Sequence, residues 1–122
     1  MSTSPAQEPR RIAQIIRLKK DSLETYKALH ASIWPSIAAQ IKSSNITDYS
    51  IFLDESTMTL FATFKYTGND FEADMEKMKR DPETRRWWGM TDGMQESFVE
   101  GSTGSGDARG WWKGLEEVFR LE

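Results

Sequence analysis

The chain has no cysteine and only one histidine, His30, among its 122 residues. Without cysteine there is no disulfide framework and no cysteine-based metal site. A single histidine also argues against a conventional His-rich zinc or iron site. We therefore expect neither a metal site nor a metal cofactor.

The sequence also lacks long apolar runs and clustered basic residues. No apolar stretch is long enough to span a membrane. The formal charge of −3 is mild and no basic stripe stands out, which disfavours nucleic-acid binding. Residues 1–10 are rich in Ser, Pro, Gln and Glu and have no hydrophobic segment of the kind found in secretory signals. These features predict a cytoplasmic protein with a flexible tail over residues 1–10 and a single domain over residues 11–122.

Apolar periodicity predicts a strand followed by a kinked helix in the first third of the chain. Residues 12–18 are β-branched and apolar, as expected for a strand. Asp21 or Ser22 could cap a helix that runs to about Ser44. Pro35 should kink this helix just after His30, because proline removes a backbone donor and clashes one turn back.

The rest of the chain reads as a hairpin, two helices, a loop and a final strand. Alternating residues predict antiparallel strands over 46–53 and 57–66. The stretch Gly68-Asn69-Asp70 offers a cap for one amphipathic helix, and Asp81 is the expected cap of a short helix after it. Residues 100–112 are rich in Gly, Ser and Thr and predict a flexible loop, and residues 115–121 contain strand formers.

This order, β-α-β-β-α-β with one extra short helix, is that of an α+β protein with the ferredoxin-like split βαβ arrangement. Its helices cover one face of an antiparallel sheet and leave the other face bare. A bare apolar face needs a partner, and two-fold pairing of sheets is the commonest solution. We therefore expect a homodimer formed by sheet packing.

The strongest candidate for chemistry is His30 together with Tyr26. Four residues apart on a helix, their side chains lie on the same face. A phenol beside an imidazole can act as a proton donor and acceptor pair near neutral pH. The simpler interpretation is a half-buried helix histidine that hydrogen-bonds a neighbour. Both interpretations stay open on this evidence.

Tryptophans supply the second candidate feature. Trp87 and Trp88 point about 100° apart on a helix, so they cannot both face one spot. They are either a core anchor beside an interface residue or a platform for the apolar face of a sugar, with Arg86 donating to hydroxyls. Trp111 and Trp112 border the Gly/Ser loop, where they could cover a pocket or contact a partner subunit.

Four stretches of this chain resemble the L-rhamnose mutarotase family, and the resemblance extends from residue 11 almost to the end. They are Tyr26-x-x-x-His30-x-x-Ile33-Trp34-Pro35, Tyr49-Ser50-Ile51-Phe52-Leu53-Asp54, Arg86-Trp87-Trp88-x-Met90-Thr91-Asp92-x-Met94 and Glu117-Val118-Phe119-x-Leu121.

The resemblance implies a dimeric α/β barrel and a cofactor-free epimerisation at the anomeric carbon of a 6-deoxy sugar. His30 and Tyr26 resemble sugar-site residues of this family. We assign His30 as the main acid/base, and Tyr26 as its partner or as a group that orients a hydroxyl. The resemblance implies that Trp87 and Trp88 bind the sugar. We expect Tyr49, Trp34 and Arg86 to bind it as well, with a structural role as the alternative for Arg86.

The chain departs from the family pattern at two positions, where Ala31 and Ser36 replace residues that are usually polar and acidic. Two other functions remain alternatives: a non-catalytic sugar-binding or interaction module, and a small dimeric α/β barrel monooxygenase or haem-handling protein in which the lone histidine ligates haem.

Overall fold

A computed structural model describes residues 10–122. The predicted tail over residues 1–10 lies outside the described residues except for Arg10, which already belongs to the first strand. The helices are α1 (Leu23–Ala31), α2 (Pro35–Ser43), α3 (Phe71–Arg80) and α4 (Pro82–Thr91), and the strands are β1 (Arg10–Leu18), β2 (Ile46–Asp54), β3 (Thr59–Tyr66), β4 (Gln95–Glu96) and β5 (Lys113–Gly114).

The sheet is antiparallel and has the strand order β2-β3-β1-β4, with β5 pairing beside β4 on β1. This confirms the predicted ferredoxin-like α+β arrangement. Its innermost cluster joins Ile16 and Leu18 of β1 to Leu60 of β3 and Tyr26 of α1. Tyr26 is therefore held in the core by the two central strands.

The predicted kinked helix is wrong in detail, because the chain forms two separate helices there. α1 ends at Ala31, and Trp34 has an extended backbone (φ −62°, ψ 133°) before Pro35 begins α2. The proline ring disfavours helical geometry in the preceding residue, while its fixed φ suits the first position of a new helix. Pro35 thus starts a helix instead of bending one.

The two predicted caps of α3 and α4 are confirmed. The carboxylate of Asp70 accepts a hydrogen bond from the backbone N–H of Ala73 at 3.1 Å. That of Asp81 accepts from the N–H of Thr84 at 2.9 Å. Each satisfies a backbone donor that the first turn leaves free. By contrast, Ser22 precedes α1 without a side-chain capping bond.

The hairpin is shorter than predicted and contains a bulge. β3 begins at Thr59 instead of residue 57, because Met58 has a positive φ of 53° that ends the turn. In β2 the register shifts between Thr47 and Ser50, where Asp48 has a φ of 51°. A bulge re-aims the side chains that follow it. Here Tyr49 itself lies in the shifted segment, next to Asp48.

The predicted C-terminal strand over residues 115–121 is wrong. The last paired strand is β5, and after it only the N–H of Leu115 reaches β1, at the carbonyl of Ala13. Val118 and Phe119 are 87% and 78% exposed. Strand-forming side chains need a neighbouring edge, and the edge of β1 is already occupied by β4 and β5.

The sheet face turned away from the core carries an apolar row. Ile15, Phe61 and Phe52 are direct register partners across β1, β3 and β2. Their sequence neighbours Ile16 and Leu60 are buried, and side chains alternate between the two faces of a strand. Phe52 is 62% exposed and Phe61 39%.

Across residues 10–122, no helix is both long and apolar enough to cross a bilayer.

Candidate active site

The side chains of Tyr26 and His30 stack on one another along α1. Their ring centroids are 4.1 Å apart and the ring planes meet at 27°. The Nδ1 atom of His30 lies 2.9 Å from the backbone carbonyl oxygen of Tyr26, one helical turn earlier. The four-residue spacing therefore brings the two aromatic rings together at the sheet surface.

The carbonyl of Tyr26 determines which nitrogen of His30 carries the proton. A carbonyl oxygen only accepts hydrogen bonds, so Nδ1 must be the protonated nitrogen in neutral imidazole. Nε2 is then left with a free lone pair. Burial lowers the pKa of His30, and the hydrogen bond to Tyr26 opposes this only in part. His30 is therefore neutral at neutral pH and has a basic nitrogen available.

The hydroxyl of Tyr26 is buried and stays protonated. The residue is only 4% exposed, and its hydroxyl oxygen lies 3.2 Å from the side-chain nitrogen of Gln95. Burial raises the pKa of Tyr26 far above its ordinary value, and the neighbouring Tyr49 raises it further. The hydrogen bond from Gln95 has the opposite but smaller effect on this pKa.

Tyr49 approaches the same site from β2. Its ring stacks on Phe64 of β3 with the centroids 5.4 Å apart. Burial of its hydroxyl raises the pKa of Tyr49 to about 12, although the residue as a whole is 39% exposed. The phenol therefore stays uncharged at any physiological pH.

The two adjacent tryptophans of α4 have different surroundings. Trp87 is buried, and its ring meets that of His30 edge-on with the centroids 5.3 Å apart. Trp88 is half-buried and faces an open groove. The helical rotation between neighbours separates them as expected. Trp87 supports the imidazole, and Trp88 is available to a ligand.

Two of the predicted substrate-binding residues lie behind Trp87. Trp34 packs edge-on against Trp87 at 5.0 Å between centroids. The guanidinium of Arg86 stacks over Trp34 at 4.4 Å and pairs with Glu83 at 2.9 Å. Neither Trp34 nor Arg86 lines the cavity that contains His30.

A small cavity of about 70 Å³ joins the candidate residues. Its walls come from α1, β2, α4, β4 and the loop that follows β4. They are Tyr26, His30, Tyr49, Ile51, Trp87, Trp88, Thr91, Gln95, Ser105 and Trp112. It borders a larger groove of about 580 Å³, with which it shares Tyr49, Trp88, Ser105 and Trp112.

Gln95, Ser105 and Trp112 are cavity residues that the sequence did not assign to the site. The sequence allows Trp112 either to cover a pocket or to contact a partner subunit. In the structure, Trp112 lines the cavity. No pattern in the sequence marks Gln95 or Ser105. The loop reaches the cavity because the carboxylate of Asp92 accepts hydrogen bonds from the backbone N–H of Ser105, at 2.8 Å, and from its hydroxyl.

The two departures from the family pattern lie away from this cavity. Ala31 and Ser36 are both exposed, and neither is among the lining residues. Their small side chains therefore leave the walls of the cavity unchanged.

Comparisons with known proteins show the family to which this chain belongs. Residues 11–121 match the family model described as L-rhamnose mutarotase. An L-rhamnose mutarotase of Bacillus subtilis is 39% identical over 113 residues, which cover 93% of this chain and 99% of that protein. One from Formosa agariphila is 35% identical over 92% of this chain and 98% of its own length. A crystal structure of L-rhamnose mutarotase from Formosa agariphila superposes with a TM-score of 0.70 at 28% identity, covering 93% of this chain and 99% of the other.

The hydrogen bond to the Tyr26 carbonyl predicts a specific state of His30. Nitrogen-15 NMR of the imidazole, unambiguous because the chain has one histidine, should give the Nδ1–H tautomer at neutral pH. The pKa of His30 should fall below its ordinary value of about 6.5, because burial penalises the cation. The urea-unfolded chain is the control and should titrate normally. An Nε2–H tautomer, or a raised pKa in the folded protein, would contradict this assignment.

Proposed function

Since the chain belongs to the L-rhamnose mutarotase family, we propose that it accelerates the interconversion of the α and β anomers of L-rhamnose. The observation that carries the proposal is the hydrogen-bonded pair of Tyr26 and His30, which lines a cavity beside Trp88. The family membership favours this activity over the non-catalytic module and the haem-handling alternative. As an isomerase of this kind, the protein would act without a cofactor.

Only the anomeric carbon of the sugar and the atoms bonded to it would enter the cavity. About 70 Å³ is less than half of the roughly 150 Å³ that holds a benzene molecule in an apolar protein cavity. A pyranose ring is larger than benzene, so most of it would lie in the adjoining groove. There Trp88 and Trp112 offer flat apolar surfaces to the ring and to the 6-methyl group. This position leaves the anomeric carbon nearest to Tyr26 and His30.

The two side chains divide the proton transfers between them. Nε2 of His30 accepts the proton of the anomeric hydroxyl, while the hydroxyl of Tyr26 donates its proton to the ring oxygen as the bond from that oxygen to C1 breaks. The open-chain aldehyde then rotates about its C1–C2 bond. On closure, the C5 hydroxyl returns a proton to Tyr26 and the imidazolium protonates the new anomeric oxygen. Both residues end in their starting states.

The shifted pKa values support this division of roles. Burial lowers the pKa of His30, so the imidazole is unprotonated and able to accept a proton near neutral pH. Burial raises the pKa of Tyr26, so its hydroxyl keeps the proton that it has to donate. Tyr49, with its pKa raised to about 12, would serve as a neutral hydrogen-bonding group toward the sugar. No group in this scheme needs an external proton source.

Replacement of the imidazole should abolish most of the activity. We expect His30→Ala to lower the protein-dependent rate of L-rhamnose anomer exchange by about 10²–10⁴-fold, the usual contribution of a general acid or base. The rate is measured by saturation-difference proton NMR. Lys27→Ala is the matched control, because Lys27 is exposed on the same helix and should leave the rate unchanged. Equal rates in His30→Ala and the parent would refute the assignment, and no acceleration by the parent would refute the function.

We further propose that a second copy of the chain covers the bare face of the sheet. The row of Ile15, Phe61 and Phe52 is apolar and partly exposed. An exposed apolar row on a sheet face that no helix covers is typical of an interface. Two-fold symmetry would place the same row on both partners. The exposed apolar tail after β5 adds to the surface that such a partner could cover.

Phe52→Ser should therefore weaken the homodimer. Each Phe side chain contributes about 1.5–3 kcal/mol when buried, and two are lost per dimer, so the dissociation constant should rise by about 10²–10⁴-fold. Sedimentation velocity over a concentration series measures this change. Glu55→Ser, in the exposed turn of the same hairpin, is the control. A parent protein that is monomeric at micromolar concentration would contradict the dimer.

A further inference from the structure

Gln95 connects the catalytic tyrosine to the loop that follows β4. Its side-chain oxygen accepts a hydrogen bond from the indole N–H of Trp111 at 2.9 Å. Its side-chain nitrogen donates to the hydroxyl oxygen of Tyr26 at 3.2 Å. Gln95 itself is only 4% exposed. The side chains of Trp111, Gln95 and Tyr26 thus form a chain of hydrogen bonds in which each donates to the next.

Trp111 fixes that direction. An indole N–H can only donate, so the side-chain oxygen of Gln95 must face it and the NH₂ group must face Tyr26. The phenol oxygen therefore accepts from Gln95. Since an NH₂ group in this geometry offers no acceptor, the proton of Tyr26 is left for an acceptor in the cavity. In the reverse orientation, the oxygen of Gln95 would capture this proton.

The loop holds Trp111 in place at several points. The hydroxyl of Ser97 donates to the backbone carbonyl of Trp111. The hydroxyl of Ser102 donates to the carbonyl of Gly110, next to Trp111. Asp92 binds Ser105 from the end of α4. The indole N–H is therefore anchored relative to β4, as a group that orients Gln95 has to be.

We propose that Gln95 and Trp111 are positioning residues that aim the hydroxyl proton of Tyr26 at the ring oxygen of the sugar. The inference rests on the proposed mutarotase function and adds two residues to it. Neither residue reacts with the sugar in this scheme. Trp111 acts on Gln95, and Gln95 acts on Tyr26.

The variant Gln95→Glu reverses the polarity of the chain without changing its shape. An ionised carboxylate would accept from both Trp111 and Tyr26, and the tyrosine proton would be withdrawn from the cavity. When protonated, the same side chain can accept from Trp111 through one oxygen and donate to Tyr26 through the other, as Gln95 does. The rate of the variant relative to the parent should therefore fall by about 10²-fold as the pH rises through the pKa of the introduced glutamate. Burial should put that pKa above the ordinary value of about 4.3.

Dividing by the parent rate at each pH removes the part of the titration that both proteins share. An ionised glutamate would also raise the pKa of His30, which makes the relative rate rise with pH, opposite to the expected fall. The native groups that face Gln95 across the cavity are Tyr26 and His30 of α1 and Tyr49 of β2. Glu96 is the next residue of β4, and its register partner is Arg17 of β1. Both lie on the sheet face opposite to Gln95, because side chains alternate between the two faces of a strand. None of these groups differs between the two proteins.

Two further variants complete the test. Gln95→Met keeps the volume but neither donates nor accepts, and should show a smaller loss that does not depend on pH. Trp111→Phe removes the indole N–H. It should slow anomer exchange, because the side-chain amide of Gln95 can then rotate and point its oxygen at Tyr26. Urea unfolding at constant protein concentration verifies that each variant is folded.

A folded Gln95→Glu variant with a pH-independent loss, or with parental rates at a pH where the introduced carboxylate is ionised, would overturn the proposal. The proposed function fails separately, if the parent protein does not accelerate anomer exchange. In that case nitrogen-15 NMR still tests the hydrogen bonds themselves. The N–H protons of the Gln95 side-chain amide and of the Trp111 indole should exchange slowly with water. Fast exchange of both would exclude the chain of hydrogen bonds itself.

Discussion

The hydrogen bond from Nδ1 of His30 to the carbonyl of Tyr26 is the constraint on which the site depends. It joins two residues one turn apart on a helix of nine residues, so the geometry of the pair is fixed by the helix itself. It also selects the tautomer in which Nε2 is the base. Because Tyr26 is part of the central core cluster with Ile16 and Leu60, the pair is held against the sheet.

The surrounding elements support each member of the pair from a different side. Trp87 of α4 meets the edge of the imidazole, and Trp34 in turn supports Trp87. Gln95 of β4 binds the phenol. The same burial that lowers the pKa of His30 raises that of Tyr26, because it penalises the charged form of both groups. One physical effect thus produces a neutral base beside a neutral acid.

The sequence predicted the parts of this arrangement that depend on local spacing. The four-residue interval from Tyr26 to His30, the caps Asp70 and Asp81 and the alternation of the central strands are local properties, and each led to the correct element. Family resemblance added Tyr49, whose orientation follows a bulge at Asp48 that no propensity reveals.

Contacts between distant segments were beyond sequence reasoning. Gln95 follows the tryptophan motif without belonging to it, and Trp111 borders the Gly/Ser loop; their shared role arises only when β4 and the loop meet α1. The residues after β5 were predicted to form a strand and do not. A strand needs a free edge of a neighbouring strand, and local composition carries no information about that edge. Trp34 and Arg86 lie behind Trp87: Arg86 is turned away from the cavity by its position on α4, and Trp34 packs against Trp87 from the extended residue before α2.

The pH dependence of L-rhamnose anomer exchange tests the central claim most directly. After subtraction of the spontaneous rate, the protein-dependent rate should be constant near neutral pH and fall only as the pH drops through the lowered pKa of His30. It should persist well above pH 10 for as long as the protein is folded, because burial raises the pKa of Tyr26 above the ordinary tyrosine value of about 10. A rate that rises as the pH falls below about 6.5 would contradict the account, since the active form would then be the imidazolium of His30.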